Sequence, residues 1–171
     1  MDKSVHMLVN ALMRNAPIWT ERATQILEAA SQLAFADGVA RIRDKDVVLA
    51  ALQEGQNVFC AVLKRWEITY TSARTFWHYD KPVADTGSPD APRAHGVIAE
   101  NAELADAVNE QLQAYAHRYA GGEHLGLAIM ARQEPEVVEL LRAFGTTCRD
   151  VEEAILDFLG LRRIDKSKLG Q

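Results

Sequence analysis

Gly121-Gly122-Glu123-His124-Leu125-Gly126-Leu127-Ala128-Ile129-Met130 runs through Ala131-Arg132-Gln133-Glu134-Pro135 into Glu136-Val137-Val138-Glu139-Leu140-Leu141-Arg142-Ala143-Phe144-Gly145, and this stretch decides the architecture. Leu125, Ala128 and Ile129 recur at i, i+3 and i+4 and share one face of a short helix. Glu134-Pro135 stops that helix and starts another, because proline is tolerated at the first helical position, where no N–H is needed. Val137, Leu140, Leu141 and Phe144 form the next apolar face. Gly145 follows where a helix end commonly needs a left-handed residue.

The same pattern occurs 78 residues earlier. Asp44 to Leu52 lies over Gly122 to Met130, and Val62, Leu63 and Trp66 lie over Leu140, Leu141 and Phe144. The offset runs without a gap from Thr20–Trp77 against Ile98–Ile155. Identities are few, among them Ala29/Ala107, Leu49/Leu127, Ala50/Ala128 and Leu63/Leu141, but apolar positions mostly meet apolar positions. Repetition at a fixed period implies two copies of one structural unit, here of four helices.

Thr20-Glu21-Arg22-Ala23 at the start of the first copy, Glu123-His124-Leu125 before a short apolar helix, and Leu140 to Gly145 at the end of the next helix resemble the Clp N-terminal domain, or Clp R domain. The resemblance covers residues 20–160 and implies an all-α, eight-helix, pseudo-twofold tandem repeat of a four-helix unit. It implies a protein-interaction role: binding adaptors and unfolded or tagged substrates for a Clp-type AAA+ unfoldase. Two forms stay open, a stand-alone protein and the front domain of a longer ATPase. A regulatory or ligand-sensing helical protein uncoupled from any Clp ATPase is the alternative.

Composition agrees with a helical domain. The chain has 171 residues, 48% of them apolar, enough for one domain with a core. A formal charge of −5 argues against nucleic acid, whose phosphates call for concentrated Lys and Arg. No run reaches the roughly 18 apolar residues of a membrane span, and Met1-Asp2-Lys3 opens no signal peptide. A cytoplasmic location and reduced, buried Cys60 and Cys148 are expected.

In chain order, Val5, Leu8, Val9, Leu12 and Met13 predict a short extra amphipathic helix in the extension 1–19. The first repeat, 20–79, holds a helix over 20–36 capped by Thr20, one over 45–54 capped by Asp44, one carrying Val58 to Trp66, and one over 70–79. Residues 80–97 hold three of the five prolines and read as a linker loop. The second repeat, 98–160, begins with a helix over 98–118 and ends with one introduced by Thr147-Cys148-Arg149-Asp150, a capping-box pattern with Asp for the usual Glu. Residues 161–171 form a polar tail.

The search for chemistry points away from catalysis. No GxxxxGK[ST] phosphate loop exists, so the chain cannot hydrolyse ATP by that device. His6, His78, His95, His117 and His124 show no metal-ligand spacing; His117 and His124 flank a helix break that does not hold them together. His124 reads as structural, its ring bonding nearby backbone in the first turn. Cys60 sits in an apolar helix with no basic partner beside it. No catalytic residue, cofactor or metal is expected.

Binding remains. In some members of the family, a Thr opening the first helix and the Glu of Glu-His-Leu, from each repeat, form a phosphoarginine pocket. Here the first copy keeps Thr20 but carries Lys45 for the Glu, and the second keeps Glu123 but carries Ile98 for the Thr. Taken repeat by repeat, neither pocket is complete, and Lys45 repels a guanidinium; weak or absent phosphoarginine binding is expected. Thr20 and Glu123 then serve first as a helix cap and a helix-start acid. With Trp19, a large apolar residue just before the cap, they are the candidate partner-binding residues.

Overall fold

A computed structural model describes residues 17–39, 41–79 and 102–161. The expected N-terminal helix, the 80–97 linker and the polar tail beyond Leu161 lie outside the described residues. Within them the chain forms eight α-helices. These are α1 (Glu21–Ala36), α2 (Asp44–Glu54), α3 (Val58–Leu63, continued by a 3-10 turn Lys64–Trp66) and α4 (Tyr70–Phe76) in the first repeat. The second repeat holds α5 (Ala102–Ala114), α6 (Gly122–Arg132), α7 (Pro135–Ala143) and α8 (Cys148–Phe158).

The duplication is visible in backbone detail. At an offset of 78 residues, α2 and α6 begin and end at corresponding positions. Left-handed residues also recur in pairs: Gly38 with Ala116, Gly55 with Gln133, and Glu67 with Gly145. In each pair one member is glycine, the residue that adopts positive φ without a steric penalty. Thr69 and Thr147 cap α4 and α8 in the same way, each hydroxyl accepting a backbone N–H three residues on, from Ser72 and Asp150, at 3.2 Å.

Local chemistry moves some boundaries. The N-cap of α2 is Arg43 and not Asp44; the carboxylate that closes the turn belongs to Asp46, which accepts the Arg43 N–H at 2.9 Å. In the described residues α5 stops at Ala114, short of 118, because Ala116 turns left-handed at φ 54°. Positive φ at His78 likewise follows the end of α4 at Phe76. A feature absent from the sequence expectations is a two-residue parallel strand pair. β1 (Ile18–Trp19) lies beside β2 (Tyr119–Ala120), with Ile18 opposite Tyr119 and Trp19 opposite Ala120.

The two α2-type helices form the centre. Apart from Lys45, α2 is buried from Asp44 to Leu52; α6 is buried at Gly122 and from His124 to Met130. Helices apolar nearly all round belong inside a fold. α1 packs on α2 and α5 on α6; α6 also meets α3 across the repeat boundary and α8 within its own repeat. Two glycines permit that approach. A Cβ at Gly122 would lie 2.8 Å from Asn57 Cβ, and one at Gly126 would lie 2.7 Å from the Phe59 ring and 3.0 Å from Ile155 Cδ1. Gly122 and Gly126, four apart, share the face of α6 that receives α3.

Candidate functional site

The strand pair creates a seam where the start of α1 meets the start of α6. The Thr20 N–H donates to the Ala120 carbonyl at 2.9 Å, continuing the ladder. The Thr20 hydroxyl accepts the Ala23 N–H at 3.2 Å, as an N-cap should. On the other side Gly121 leaves space where Glu123 folds back: a Cβ at Gly121 would lie 2.5 Å from both carboxylate oxygens. Trp19, half-buried against the core, carries an indole N–H with no acceptor among the described residues. Trp19, Thr20 and Glu123 therefore gather at one seam, although Glu123 comes from the other repeat. β1 leads Thr20 to the start of α6.

Two histidines brace the seam from behind. His124 Nδ1 accepts the Gly121 N–H at 3.1 Å, and its Nε2 lies 2.8 Å from His117 Nδ1. Because His124 Nδ1 is an acceptor, Nε2 carries the proton and donates to His117. The helix break after α5 thus brings His117 and His124 into contact, contrary to the sequence expectation. His124 is structural, as its position in the first turn implied. The Glu123 carboxylate lies 3.3 Å from His124 Nδ1, a contact that becomes an ion pair only when the ring is protonated. With the ring protonated, its hydrogen bond to the carboxylate, against the opposing effect of burial, holds the Glu123 carboxyl below its ordinary value.

The pseudo-equivalent seam, at the start of α2, differs in charge. Positions matching Tyr119, Gly121 and Glu123 are Arg41, Arg43 and Lys45. Asp46, fully buried, occupies the place of His124 and makes the same bond to the capping backbone. Arg43 Nη2 binds Asp46 at 2.8 Å, Asp37 at 2.6 Å and the Tyr79 hydroxyl at 2.7 Å, while Tyr79 donates to Asp46. Asp46 raises the Arg43 pKa, and burial raises that of Tyr79. Arg132 at the end of α6 crosses to Asp44, its Nε 3.0 and 3.1 Å from the two carboxylate oxygens. Burial pushes the Asp44 carboxyl up, against the pull of Arg132. Beside this pair is a cavity of about 340 Å³, floored by Ile42, Leu104 and Val137.

From the sequence, Asp44 and Asp46 read as a solvated pair at a helix start, and Tyr79 and His117 had no role; the structure buries both carboxylates, because Arg132 and Arg43 with Tyr79 supply their partners. The signal for Asp46 was present, since the offset places it on His124 in the N3 position of the matching helix. The described residues hold no group of three or more His, Cys, Asp or Glu arranged for a metal ion. No helix among them is long and apolar enough to cross a membrane. Cys60 is a buried free thiol whose pKa burial raises, and Cys148 is half-buried and also free.

Comparison with known proteins follows this geometry. A family model described as the Clp repeat (R) N-terminal domain matches residues 18–143. The N-terminal domain of the caseinolytic protease-associated chaperone ClpD from Arabidopsis thaliana has a similar structure, with a TM-score of 0.61 at 15% identity over 83% of this chain and 94% of that one. The Hsp104 N-terminal domain from Candida albicans is also similar, with a TM-score of 0.60 at 14% identity over 86% of this chain and 95% of that one. No curated protein sequence matches the chain.

Proposed function

The chain belongs to the Clp repeat (R) N-terminal domain family, and on that premise we propose that it is a non-enzymatic protein-interaction module serving a Clp-type AAA+ unfoldase through adaptor or substrate proteins. The observation that carries the proposal to particular residues is the seam holding Trp19, Thr20 and Glu123. The start of α1 presents backbone N–H groups suited to an anion. Glu123, on the same seam, offers a carboxylate for a cation, and Trp19 supplies an apolar flank. One seam thus has a partner for each half of a phosphorylated guanidinium. Weak or absent phosphoarginine binding was expected from pairing residues within each repeat; with Thr20 and Glu123 on one seam, a single site is expected instead.

Two measurements test the proposal. Calorimetric titration with free phosphoarginine should give one site, lost in Glu123→Lys, which reverses the charge facing the guanidinium. Affinity capture from the native lysate should retain a Clp-type ATPase or its adaptor on the wild type and lose it on Glu123→Lys and Trp19→Ala. A wild-type domain that retains no AAA+ protein or adaptor would refute the coupling and favour the uncoupled regulatory alternative. Titration without heat would refute the phosphoarginine site alone.

A further inference from the structure

The two histidines behind the first seam form a chain of ring nitrogens that ends on Glu123. His117 Nδ1 lies 2.8 Å from His124 Nε2, and His124 Nδ1 lies 3.1 Å from the Gly121 nitrogen and 3.3 Å from Glu123 Oε1. While the Gly121 N–H donates to His124 Nδ1, that nitrogen has no hydrogen for Glu123. The 2.8 Å gap between the rings holds one hydrogen and not two. Any proton the pair binds therefore leaves a hydrogen on His124 Nδ1, whether the hydrogen in the gap stays on His124 or passes to His117. The choice decides only which ring is charged. His124 is 2% exposed, whereas His117 is half-buried beside an open hollow. Burial penalises charge, so the charge settles on His117. Asp106 and Glu110 of α5 line the same hollow with Arg118, two anions against one cation. The Tyr115 ring lies 6.4 Å from that of His117, and Tyr119 is exposed on β2. On the other elements packed against α6, Glu21 of α1 is exposed, Arg22 donates to Gln56, and Glu54 of α2 accepts from Gln56 and Asn57. Asp44 and Asp46 are held by Arg132 and Arg43, α3 buries the neutral Cys60, and α8 buries Val151, Ala154, Ile155 and Leu156.

Resting on the reading of the first seam as the site for a partner's cation, we infer that the His117–His124 pair is a proton switch that sets the availability of Glu123. In mild acid the pair binds one proton, His124 changes from the Nε2–H to the Nδ1–H form, and the new hydrogen engages the Glu123 carboxylate. The proton reaches His124 Nδ1 by way of that carboxylate, which is 25% exposed and touches the ring. The hydrogen in the gap moves from His124 Nε2 to His117 Nδ1, and the positive charge rests on His117. The Gly121 N–H loses its ring acceptor and turns to the carboxylate, which lies so near that a Cβ at Gly121 would stand 2.5 Å from both oxygens. Held inward by the ring and by Gly121, Glu123 has less to offer a guanidinium. Imidazole changes its charge between about pH 5 and 8, so the seam binds in neutral solution and releases in mild acid. The sister seam lacks the device. The positions equivalent to His117 and His124 hold Val39 and Asp46, and Asp46 is tied to Arg43, which does not lose its proton.

Nitrogen NMR of the histidine rings in the free full chain, titrated from about pH 8 to pH 5, tests the switch without any ligand. At the alkaline end His124 should carry its hydrogen on Nε2. On acidification it should acquire the Nδ1 hydrogen in step with protonation of His117, with one shared midpoint, and the Glu123 carboxyl carbon should shift at that same midpoint. His117→Asn keeps an acceptor for His124 Nε2–H but cannot take the charge, so His124 should stay in the Nε2–H form to a lower pH; the amide spectrum shows that the variant is folded. Protonation of His117 with His124 still in the Nε2–H form, no change in either ring, a Glu123 carbon indifferent to the rings, or a His117→Asn variant that switches where wild type does would each overturn the inference. Calorimetric titration with free phosphoarginine at pH 8 and pH 6 reads the consequence. Wild type should bind several-fold more weakly at pH 6, and His117→Asn should lose most of that difference, which cancels the ligand's own titration. An equal pH dependence in the two proteins would sever the switch from binding. Absence of binding at both pH values would refute the phosphoarginine site, while the ring spectra and the Glu123 carbon still decide the switch.

Discussion

Gly126→Ala places one methyl group at the tightest crossing between the repeats. Two effects oppose each other. Alanine is favoured over glycine in a helix interior by about 1 kcal/mol. Against this, the new Cβ would stand 2.7 Å from two atoms of the Phe59 ring and 3.0 Å from Ile155 Cδ1. Ordinary carbon contacts lie at about 3.5–4.0 Å, so the ring has to retreat by roughly 1 Å. Phe59, Ile155, Leu125 and Ile129 are all fully buried, which leaves no surface into which the strain can relax. Overpacking costs about 1–3 kcal/mol, and with no outlet the upper half of that range applies. The net loss should be about 1–2 kcal/mol, read as a lower urea midpoint at unchanged slope and a fall in Tm of about 2–8 °C. The repeat supplies a rescue, because the positions equivalent to Gly126 and Phe59 hold Val48 and Val137, a more even division of volume. Gly126→Ala combined with Phe59→Leu should be more stable than the sum of the single losses by at least about 0.5 kcal/mol. A Gly126→Ala variant as stable as wild type, or strictly additive single changes, would refute the reasoning.

Arg132→Ala leaves Asp44 buried without its main partner and should cost about 3 kcal/mol, the low end for a broken buried pair because the groove admits water. That loss should shrink in urea melts as pH falls toward the raised carboxyl pKa, since neutral Asp44 needs no cation. Tyr79→Phe removes a hydroxyl bonded to both Asp46 and Arg43 and should cost about 1.5–3 kcal/mol by the same assay. The Glu123 carboxyl titrates below its ordinary 4.5, so its contribution is complete above that pH and is lost as pH falls through the lowered value. Glu123→Gln should therefore lower Tm in the neutral region and flatten the acid limb of a Tm-versus-pH profile below about pH 4.5, where variant and wild type converge; an identical acid limb would refute the assignment.

Helix identity was legible in the sequence because apolar spacing and capping residues act locally. Thr20, Thr147, Gly55, Pro135 and Gly145 all stand where their chemistry predicts. The strand pair was not legible, because two residues carry no periodicity and their pairing depends on how the repeats dock. That docking brings Thr20 to Glu123 and His117 to His124, so the composition of the seam could not be read within either repeat. Gly122 and Gly126 raised no flag as packing residues, since close approach shows only once Asn57 and Phe59 lie opposite. The charge inversion at Arg41, Arg43 and Lys45 was half visible: Lys45 stood out against Glu123, but the arginines gained meaning only when a groove joined them to Arg132.

The pairing of β1 with β2 also constrains how the chain matures on the ribosome. Ile18 and Trp19 wait for Tyr119 and Ala120, about one hundred residues downstream. At roughly 5–20 residues per second, that delay lasts about 5–20 seconds. During it, α2 has no α6 or α7 to cover its outer apolar residues, and Phe59 lacks the Gly126 surface on which it rests. The leading half of a duplicated domain would then emerge as an adhesive intermediate, and completion would come late and nearly all at once. Ribosome-stalled chains ending near position 110 should be sensitive to protease and bound by holdases, whereas chains extended past position 160 and clear of the exit tunnel should be neither.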